Sequence, residues 1–249
     1  MDINKQSNQA KKITSVNDDI AYSSLRKDII ELRLRPGNIV SIKNLCEHYQ
    51  INRSPMRDAL LRLQEEGLVE LLPQSGTMIS KIDIYRVKKE RFLRMCVEKN
   101  VIKLFADNPK EQFINCLKTS VENQKMSIKN KDIRSFLDLD DEFHNVFYEA
   151  TGNSFCANII FKVSTHYRRM RLLINSDIEI AKTVLSEHCE MINAFENNDA
   201  SKIEKLFDNH LDKIGSQQFI FSEKYPDLFI NNDTSKEYDS LNNDFFLTL

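Results

Sequence analysis

Glycine and proline are scarce in this chain, and this scarcity constrains the fold more than any other feature of the sequence. Each occurs five times among 249 residues. A fold built from many β-strands needs frequent turns, and turns depend strongly on these two residue types. Hydrophobic side chains make up 41% of the chain, which is enough for a sizeable core. The sequence therefore predicts a mainly α protein.

The charge balance is only a weak indication of nucleic-acid binding. The formal net charge is −2. Residues 1–81 carry 12 Lys and Arg against 10 Asp and Glu, and the remainder carries 23 against 27. A slightly basic front and a slightly acidic rear agree with a DNA-binding domain at the N-terminal end.

The cysteines and the N-terminus indicate where such a protein works. No CxxC pair occurs, so free thiols in a reducing cytosol are expected. The five cysteines are Cys46, Cys96, Cys116, Cys156 and Cys189. The first residues lack the apolar segment of a signal peptide, and no apolar run is long enough to span a membrane. We therefore expect a cytoplasmic protein with no membrane partner.

Apolar periodicity predicts two helices early in the chain. Apolar residues recur at helical spacing over residues 21–34, and the Pro-Gly pair at 36–37 should end this helix. Ser41 is predicted to cap a second helix that runs to Tyr49. A tight connection then leads to a third helix.

The third helix carries the strongest start and stop signals of this region. Ser54 followed by Pro55 indicates an N-cap and a first helical residue, and Asn52 is an alternative cap. The helix should run to Glu66 and stop at Gly67.

A strand, turn and strand over residues 69–79 complete a winged helix-turn-helix domain at 19–82. Residues 85–224 then predict an all-helical bundle of about six helices. Its breaks fall near Asn108-Pro109, Asn130-Lys131, Gly152-Asn153, Asn175-Ser176 and Asn198-Asp199. Polar residues 1–18 are predicted to form a mobile arm, and residues 225–249 a loose tail.

Arg53 and Arg57 are four residues apart and share one face of the third helix. The opposite, apolar face comprises Met56, Ala59, Leu60 and Leu63. Arginine can form two hydrogen bonds with guanine in the major groove, and base contacts fall near the start of a recognition helix. The alternative is a solvent-exposed face on which the arginines pair with Asp58 and Glu65. The surrounding order of elements favours DNA reading.

Four side chains in the helical region have the chemistry and spacing of metal ligands. They are Asp140, His144, His188 and His210. The first two are four residues apart on one helix, and a bundle can direct all four to one centre. Imidazole and carboxylate suit Zn, Ni, Mn or Fe. From the residues alone the alternatives stay open, since Asp138 and Asp141 are equally available and a lone helical histidine more often lies at a surface or in a core.

The first domain resembles the GntR family of regulators. The resemblance rests on Leu34–Gly37, Asn52–Leu60, Leu63, Glu66–Val69 and Ser75-Gly76. Departures are mild: Asn52 stands in place of Ser, Met56 in place of Val, and Asp58 in place of Glu. Leu32 lies near the position of a usual helix glycine.

This resemblance implies that Arg53, Arg57 and Gly76 occupy DNA-contacting positions. Ser54 and Lys43 are predicted to bind phosphates. The wing from Gln74 to Thr77 is predicted to reach the minor groove or the backbone.

Residues 85–222 resemble the FadR-type C-terminal ligand-binding (FCD) domain of one GntR subfamily. The residues that carry the resemblance are Arg94, Glu98, Asp140, His144, Gly152-Asn153, Glu187-His188, Asp199 and His210. The resemblance implies that Asp140 and the three histidines bind a divalent cation, with Zn or Ni preferred and Mn or Fe as alternatives. It also implies a small carboxylate effector facing Arg94. Arg168 and Arg171 are alternative partners of the effector, although surface salt bridges are the expected role of these two.

The expected function is a homodimeric regulator, most often a repressor, that binds a palindromic operator and responds to a metabolite. Three alternatives stay open at this stage. The metal alone could be the signal, or it could be structural. In the third alternative, the metal centre hydrolyses a substrate. No residue is marked as a dedicated general base for this reaction, although Glu187 beside His188 is conceivable.

Overall fold

Two structural units make up residues 19–230, the part of the chain that the structure, a computed structural model, describes. The first unit comprises residues 19–82 and 226–230, and the second comprises Asp83–Tyr225. The predicted N-terminal arm, residues 1–18, and most of the predicted tail lie outside the described residues.

The first unit has the predicted order of three helices followed by a hairpin. Its elements are α1 (residues 19–30), β1 (Ile39–Val40), α2 (Ile42–Tyr49), α3 (Arg53–Glu65), β2 (Val69–Leu72) and β3 (Gly76–Ile79). The three strands are antiparallel in the order β1-β3-β2. Ser41 caps α2 as predicted, because its side chain accepts the N–H of Asn44 at 3.1 Å.

The core of this unit forms where the apolar faces of the three helices meet the sheet. Its buried residues include Leu25, Ile29, Leu45, Met56, Leu60, Leu63 and Ile79. The predicted apolar stripe of α3 is therefore the face that packs inward, and the opposite face of α3 stays open to solvent.

The predicted end of α1 is wrong by four residues. The helix ends at residue 30 because Leu32 adopts a left-handed conformation with φ 53°. The N–H groups of Arg33 and Leu34 both donate to the carbonyl of Asp28, which closes the helix without a glycine. Leu32 and Leu34 are both fully buried, and their burial offsets the unfavourable backbone conformation at Leu32.

The start of α3 follows the alternative prediction. Asn52 is the N-cap and Arg53 the first helical residue, so Ser54 and Pro55 lie inside the first turn. Arg53 and Arg57 consequently occupy the first and second turns of the helix.

The second unit is an all-helical bundle. Its elements are α4 (Ile84–Ala106), α5 (Glu111–Lys129), α6 (Ile133–Ala150), α7 (Ser154–Val163), α8 (Thr165–Asn175), α9 (Ile178–Glu196) and α10 (Ala200–Lys224). All five predicted breaks are present. A sixth break at Ser164 was missed, so the unit has seven helices and not six.

The missed break has a tertiary cause. Ser164 leaves the helical conformation (φ −88°, ψ 47°) without a glycine, proline or asparagine to signal it. Ten of the eleven residues of α8 are buried, and only Arg168 is not. The chain must therefore turn between α7 and α8 for α8 to enter the interior.

Aromatic rings form the centre of the bundle core. Phe105 lies with its ring centroid 5.1 Å from that of Phe147 and 5.0 Å from that of Phe195, both edge-to-face. Phe207 packs against the same group at 5.4 Å from Phe147. These contacts bring α4, α6, α9 and α10 together next to the predicted ligands.

Two predictions about the remainder of the chain can be compared with the structure. The five cysteines are free, as expected. The start of the tail is ordered, contrary to the prediction: Pro226–Leu228 form a 3-10 helix and Phe229 pairs with Ile82 in the first unit.

Among the described residues, no helix combines the length and the apolar character needed to cross a membrane.

Gly76 should be more sensitive to substitution than any ordinary turn glycine. It has φ 115°, and a Cβ there would lie 2.8 Å from the Val40 carbonyl oxygen in β1. Gly152 is the matched control, with φ 72° and open space around it. We expect Gly76→Ala to lower the free energy of unfolding by about 2–3 kcal/mol and Gly152→Ala by about 1 kcal/mol. Urea denaturation measures both, and equal losses would contradict the close approach to β1.

Candidate metal centre and DNA-contacting surface

The four predicted metal ligands converge inside the helical unit. Asp140 and His144 lie one turn apart on α6, His188 lies on α9 and His210 on α10. One ligand atom from each residue lies within 4.8 Å of the others. The His144 and His188 side chains are buried, and that of His210 is 8% exposed.

The separations between the ligand atoms suit a small cation. His144 Nε2 is 3.1 Å from His210 Nε2. His188 Nε2 is 3.6 Å from Asp140 Oδ1, and His144 Nε2 is 3.9 Å from Asp140 Oδ2. Tetrahedral zinc with Zn–N and Zn–O bonds near 2.1 Å separates its ligand atoms by about 3.4 Å.

A buried glutamine fixes the orientation of His188. Gln124 on α5 donates through Nε2 to the Leu139 carbonyl oxygen at 3.2 Å, so its Oε1 is the acceptor. That oxygen lies 2.8 Å from His188 Nδ1. Nδ1 must therefore carry the proton, and the lone pair of Nε2 faces the centre. His188 Nε2 is buried with no hydrogen-bond partner among the described residues.

Carboxylates lie behind Nδ1 of the other two imidazoles, but only the one behind His210 has hydrogen-bond geometry, and His144 Nδ1 makes no hydrogen bond within the described residues. His144 Nδ1 lies 2.9 Å from Glu98 Oε1, and His210 Nδ1 lies 2.9 Å from Glu187 Oε2. Glu98 is itself bound by Arg94, and Glu187 by Lys213. Each histidine thus has an acceptor behind Nδ1 and presents Nε2 to the same point, an arrangement that metal-ligating histidines share.

The charge states also suit a cation. Burial opposes the ionisation of Asp140, but Arg171 and the three imidazoles outweigh it and hold the pKa of Asp140 well below its usual range. Burial lowers the pKa of His188 well below its ordinary value and also lowers that of His144. At neutral pH the carboxylate is charged and these two imidazoles are neutral, which are the metal-binding forms.

A buried arginine already contacts this carboxylate. Arg171 on α8 forms an ion pair with Asp140 Oδ2, and its Nη1 lies 2.5 Å from Asp141 Oδ1. Arg168 pairs with Asp138 and Asp141. Asp141 and Asp138 therefore belong to arginine pairs, and only Asp140 faces the histidines.

Arg94, the predicted carboxylate-facing residue, is 5% exposed and pairs with Glu98. Glu98 accepts two of its five N–H groups, at 2.7 and 3.3 Å. Arg94 and Arg171 line two small cavities of about 20 Å³, each large enough for one water molecule. Asp140 and His210 line one cavity, and Tyr148 and Ser164 line the other.

The sequence did not indicate the residues that orient the histidines. Gln124 has no motif around it, and Glu98 and Glu187 carried no predicted role in metal binding. One signal was available: Ser120, Gln124 and Ser127 interrupt the apolar stripe of α5 at helical spacing, and all three are buried. Buried polar residues at such positions need partners.

In the first unit, Arg53 and Arg57 lie on the exposed face of α3. Neither has an ion-pair partner within residues 19–230, so the predicted alternative pairing with Asp58 and Glu65 is absent there. Arg62 of the same helix differs, because its Nη1 lies 3.2 Å from Asp19 Oδ1 and its guanidinium stacks 3.7 Å from the Tyr22 ring centroid.

The other predicted DNA contacts divide into exposed and buried residues. Ser54 and Gln74 are exposed, and the Lys43 side chain is 80% exposed. Gly76 is half-buried at the start of β3. Thr77 is only 3% exposed, because its side chain points into the unit where β3 pairs with β1 and β2. Thr77 therefore does not offer its side chain to DNA.

Two family models match the chain. "Bacterial regulatory proteins, gntR family" matches residues 18–79, and "FCD domain" matches residues 91–213. Together the two ranges span about three quarters of the sequence.

Curated relatives agree with these matches. The HTH-type transcriptional repressor RspR of Escherichia coli K12 is 26% identical over 214 residues, which span 86% of this chain and 93% of the relative. The gluconate operon transcriptional repressor of Bacillus subtilis 168 is 26% identical over 204 residues, or 78% of this chain and 83% of the relative.

A solved structure shows the same fold. That of E. coli McbR/YncC covers 84% of this chain and 98% of its own, with a TM-score of 0.68 at 15% identity. The curated relatives are named as regulators and not as enzymes, and Glu187 is paired with His210 and Lys213. The chain belongs to the GntR family of bacterial transcriptional regulators, with a DNA-binding winged helix-turn-helix region and an FCD domain.

Proposed function

We propose that the operator affinity of this regulator is controlled by a small carboxylate that binds beside a divalent metal ion in the FCD domain. The observation that carries the proposal is the convergence of three oriented imidazole nitrogens and one carboxylate oxygen. Asp140, His144, His188 and His210 would hold the ion. An ion at this centre supplies a positive charge to which a carboxylate can bind.

The two buried arginines support an anionic effector. Arg94 and Arg171 line the cavity beside Asp140 and His210 and also the neighbouring cavity. Asp140 and Asp141 currently satisfy Arg171. An effector carboxylate could replace one of these partners, since both are of the same chemical class. A relative is named for the gluconate operon, which makes gluconate a suitable first probe.

The first unit would read DNA through α3. Arg53 and Arg57 would contact base edges in the major groove, with Lys43, Ser54, Gln74 and Gly76 at the backbone or in the minor groove. Thr77 is left out of this set because its side chain is buried. Two copies in a homodimer would match a palindromic operator.

A second candidate, a regulator that responds to the metal alone, rests on the size of the cavities. Each holds about one water molecule, so an organic effector needs side chains to move before it fits. Cation binding needs no such movement, because the four ligand atoms already lie together.

Arg53→Ala and Arg57→Ala are each expected to weaken operator binding by about 5- to 150-fold, because each removes 1–3 kcal/mol of base contact. Arg62→Ala removes the same charge from the same helix, but this arginine is bound to Asp19 and Tyr22. We expect it to change affinity much less. Gel shifts at fixed salt measure all three, and undiminished binding by the double variant would contradict the recognition-helix assignment.

Elemental analysis of the purified protein is expected to give about one Zn or Ni per chain. His188→Ala should lose the ion, whereas His48→Ala, in the first unit, should keep it. Gln124→Leu leaves the four ligands in place but removes the acceptor that orients His188, so a 10- to 100-fold loss of metal affinity is expected. A protein that takes up no ion after Zn or Ni is added would refute the metal centre.

Gluconate, citrate and acetate distinguish the two candidate functions. If a carboxylate is the effector, one of them should raise the melting temperature of the metal-loaded protein, with about 2.7 kcal/mol of stabilisation at 100 times its Kd. The same compound should have little effect after chelation of the metal. A change in operator affinity with metal alone, and with none of a broad series of acids, would favour the metal-responsive candidate.

A further inference from the structure

One helix connects the candidate metal centre to the first residue of the helical unit. Near its C-terminal end, α8 carries Arg171, which pairs with Asp140. At its N-terminal end it carries His166, five residues earlier and about 7.5 Å along the helix axis. The imidazole Nδ1 of His166 accepts the backbone N–H of Asp83 at 3.0 Å.

Asp83 has a special place in the chain. It is the first residue of the helical unit and directly follows Ile82, the last residue of the DNA-binding unit before the chain enters the bundle. Its side chain is the N-cap of α4 and accepts the N–H groups of Tyr85 and Arg86 at 2.8 and 3.3 Å. The direction in which the chain enters α4 therefore depends on the groups that bind Asp83.

The starts of α4 and α8 bind each other reciprocally. While His166 of α8 accepts from Asp83, Glu90 of α4 accepts the backbone N–H of Tyr167 at 2.7 Å. Glu90 is buried and also accepts from Arg86 at 2.7 Å. Arg169 lies against the His166 ring, with Nη2 3.1 Å from Nδ1 and 3.2 Å from Nε2. A shift of α8 must therefore change the surroundings of Asp83.

The helix between the two ends is suited to move as a unit. Apart from Arg168, every residue of α8 is buried. Close-packed interiors transmit displacement and do not absorb it, because they contain few voids. The one charge of α8 that reaches the metal ligands is Arg171, and it is held by two carboxylates.

We propose that α8 transmits the state of the metal and effector centre to the start of α4, with Arg171 as the sensing residue and His166 as the positioning residue for Asp83. This proposal rests on the proposed function for the identity of the ligand, but the contacts that carry it do not involve the ligand. A ligand that changes the pairing of Arg171 with Asp140 displaces α8 and alters the His166–Asp83 hydrogen bond.

Hydrogen–deuterium exchange of the full chain tests the transmission without any ligand. Asp140→Asn weakens the pair with Arg171. It is expected to speed exchange of the amides of residues 83–90 by about three- to tenfold, the effect of weakening a single hydrogen bond. Asp138→Asn is the matched control on α6, because Asp138 is 50% exposed and contacts α8 only through Arg168. This control should change exchange at 83–90 by less than about twofold.

Two results with Asp140→Asn would overturn the proposal. One is a change in exchange over residues 165–175 but not over 83–90, and the other is no change in either segment. If Asp140→Asn exchanges faster throughout α5 and α9, it has lost its fold. Arg171→Lys then takes its place, since it keeps the charge but cannot bridge both carboxylates. The same two outcomes for Arg171→Lys decide the question.

A second experiment distinguishes a failure of the transmission through α8 from a failure of the proposed metal centre. Zn²⁺ is added to the wild type, its binding is measured directly, and exchange at 83–90 is followed. If Zn²⁺ binds and alters exchange over residues 165–175 but not over 83–90, the transmission is contradicted. If Zn²⁺ does not bind, the metal centre is contradicted, and the exchange result with Asp140→Asn decides on the transmission.

His166→Leu and His166→Asn identify the positioning residue. Leucine removes the acceptor for Asp83, and asparagine keeps an oxygen near the position of Nδ1. The response of 83–90 to Asp140→Asn should disappear in the leucine background and return at least in part in the asparagine background. A response that persists with leucine would exclude His166 from the path.

Discussion

Asp140 is the buried charge around which the helical unit is organised. An isolated carboxylate in an interior is very unfavourable, so it must be paired or bind a cation. Here Arg171 satisfies one side, and three histidine Nε2 atoms face the other. Each of those histidines needs an acceptor behind Nδ1, and the acceptors come from α4, α5 and α9. One carboxylate on α6 thereby sets polar requirements on five other helices of the bundle.

The buried polar side chains of this region lie close together in one connected cluster. Arg94 binds Glu98, Glu98 faces His144, and His144 approaches His210. The aromatic core of Phe105, Phe147, Phe195 and Phe207 packs directly against it. The apolar surroundings strengthen each charge interaction inside. A buried network of this kind is sensitive to any change of charge at its centre, which is the property that a ligand-responsive domain requires.

Sequence patterns predicted much of this protein correctly, for reasons that are local. The three helices and hairpin of the first unit follow from apolar spacing, the Ser41 cap and the residues that flank the wing. Residue type and spacing left Asp138 and Asp141 as alternatives to Asp140, and the resemblance to the FCD domain implied the set of four ligands that the structure brings together. The errors had a tertiary origin. The end of α1 before Leu32 and the break at Ser164 have no glycine or proline to signal them. Burial of the neighbouring side chains compensates for the backbone conformation at both places.

The sequence by itself determined the classes of element, their order and the residue types able to read DNA or bind a metal, since these depend on spacing along one helix or strand. Only the tertiary structure decided which groups serve these residues. It gave His188 the acceptor Gln124, which lies 64 residues earlier in the chain. It also placed Arg171 where the guanidinium pairs with both Asp140 and Asp141. It also showed that Thr77 is buried, and that Arg62 is bound to Asp19 and Tyr22 whereas Arg53 and Arg57 have no ion-pair partner among residues 19–230. The physical reason is that partners of buried polar groups come from distant segments, and only the packing of whole helices brings those segments together.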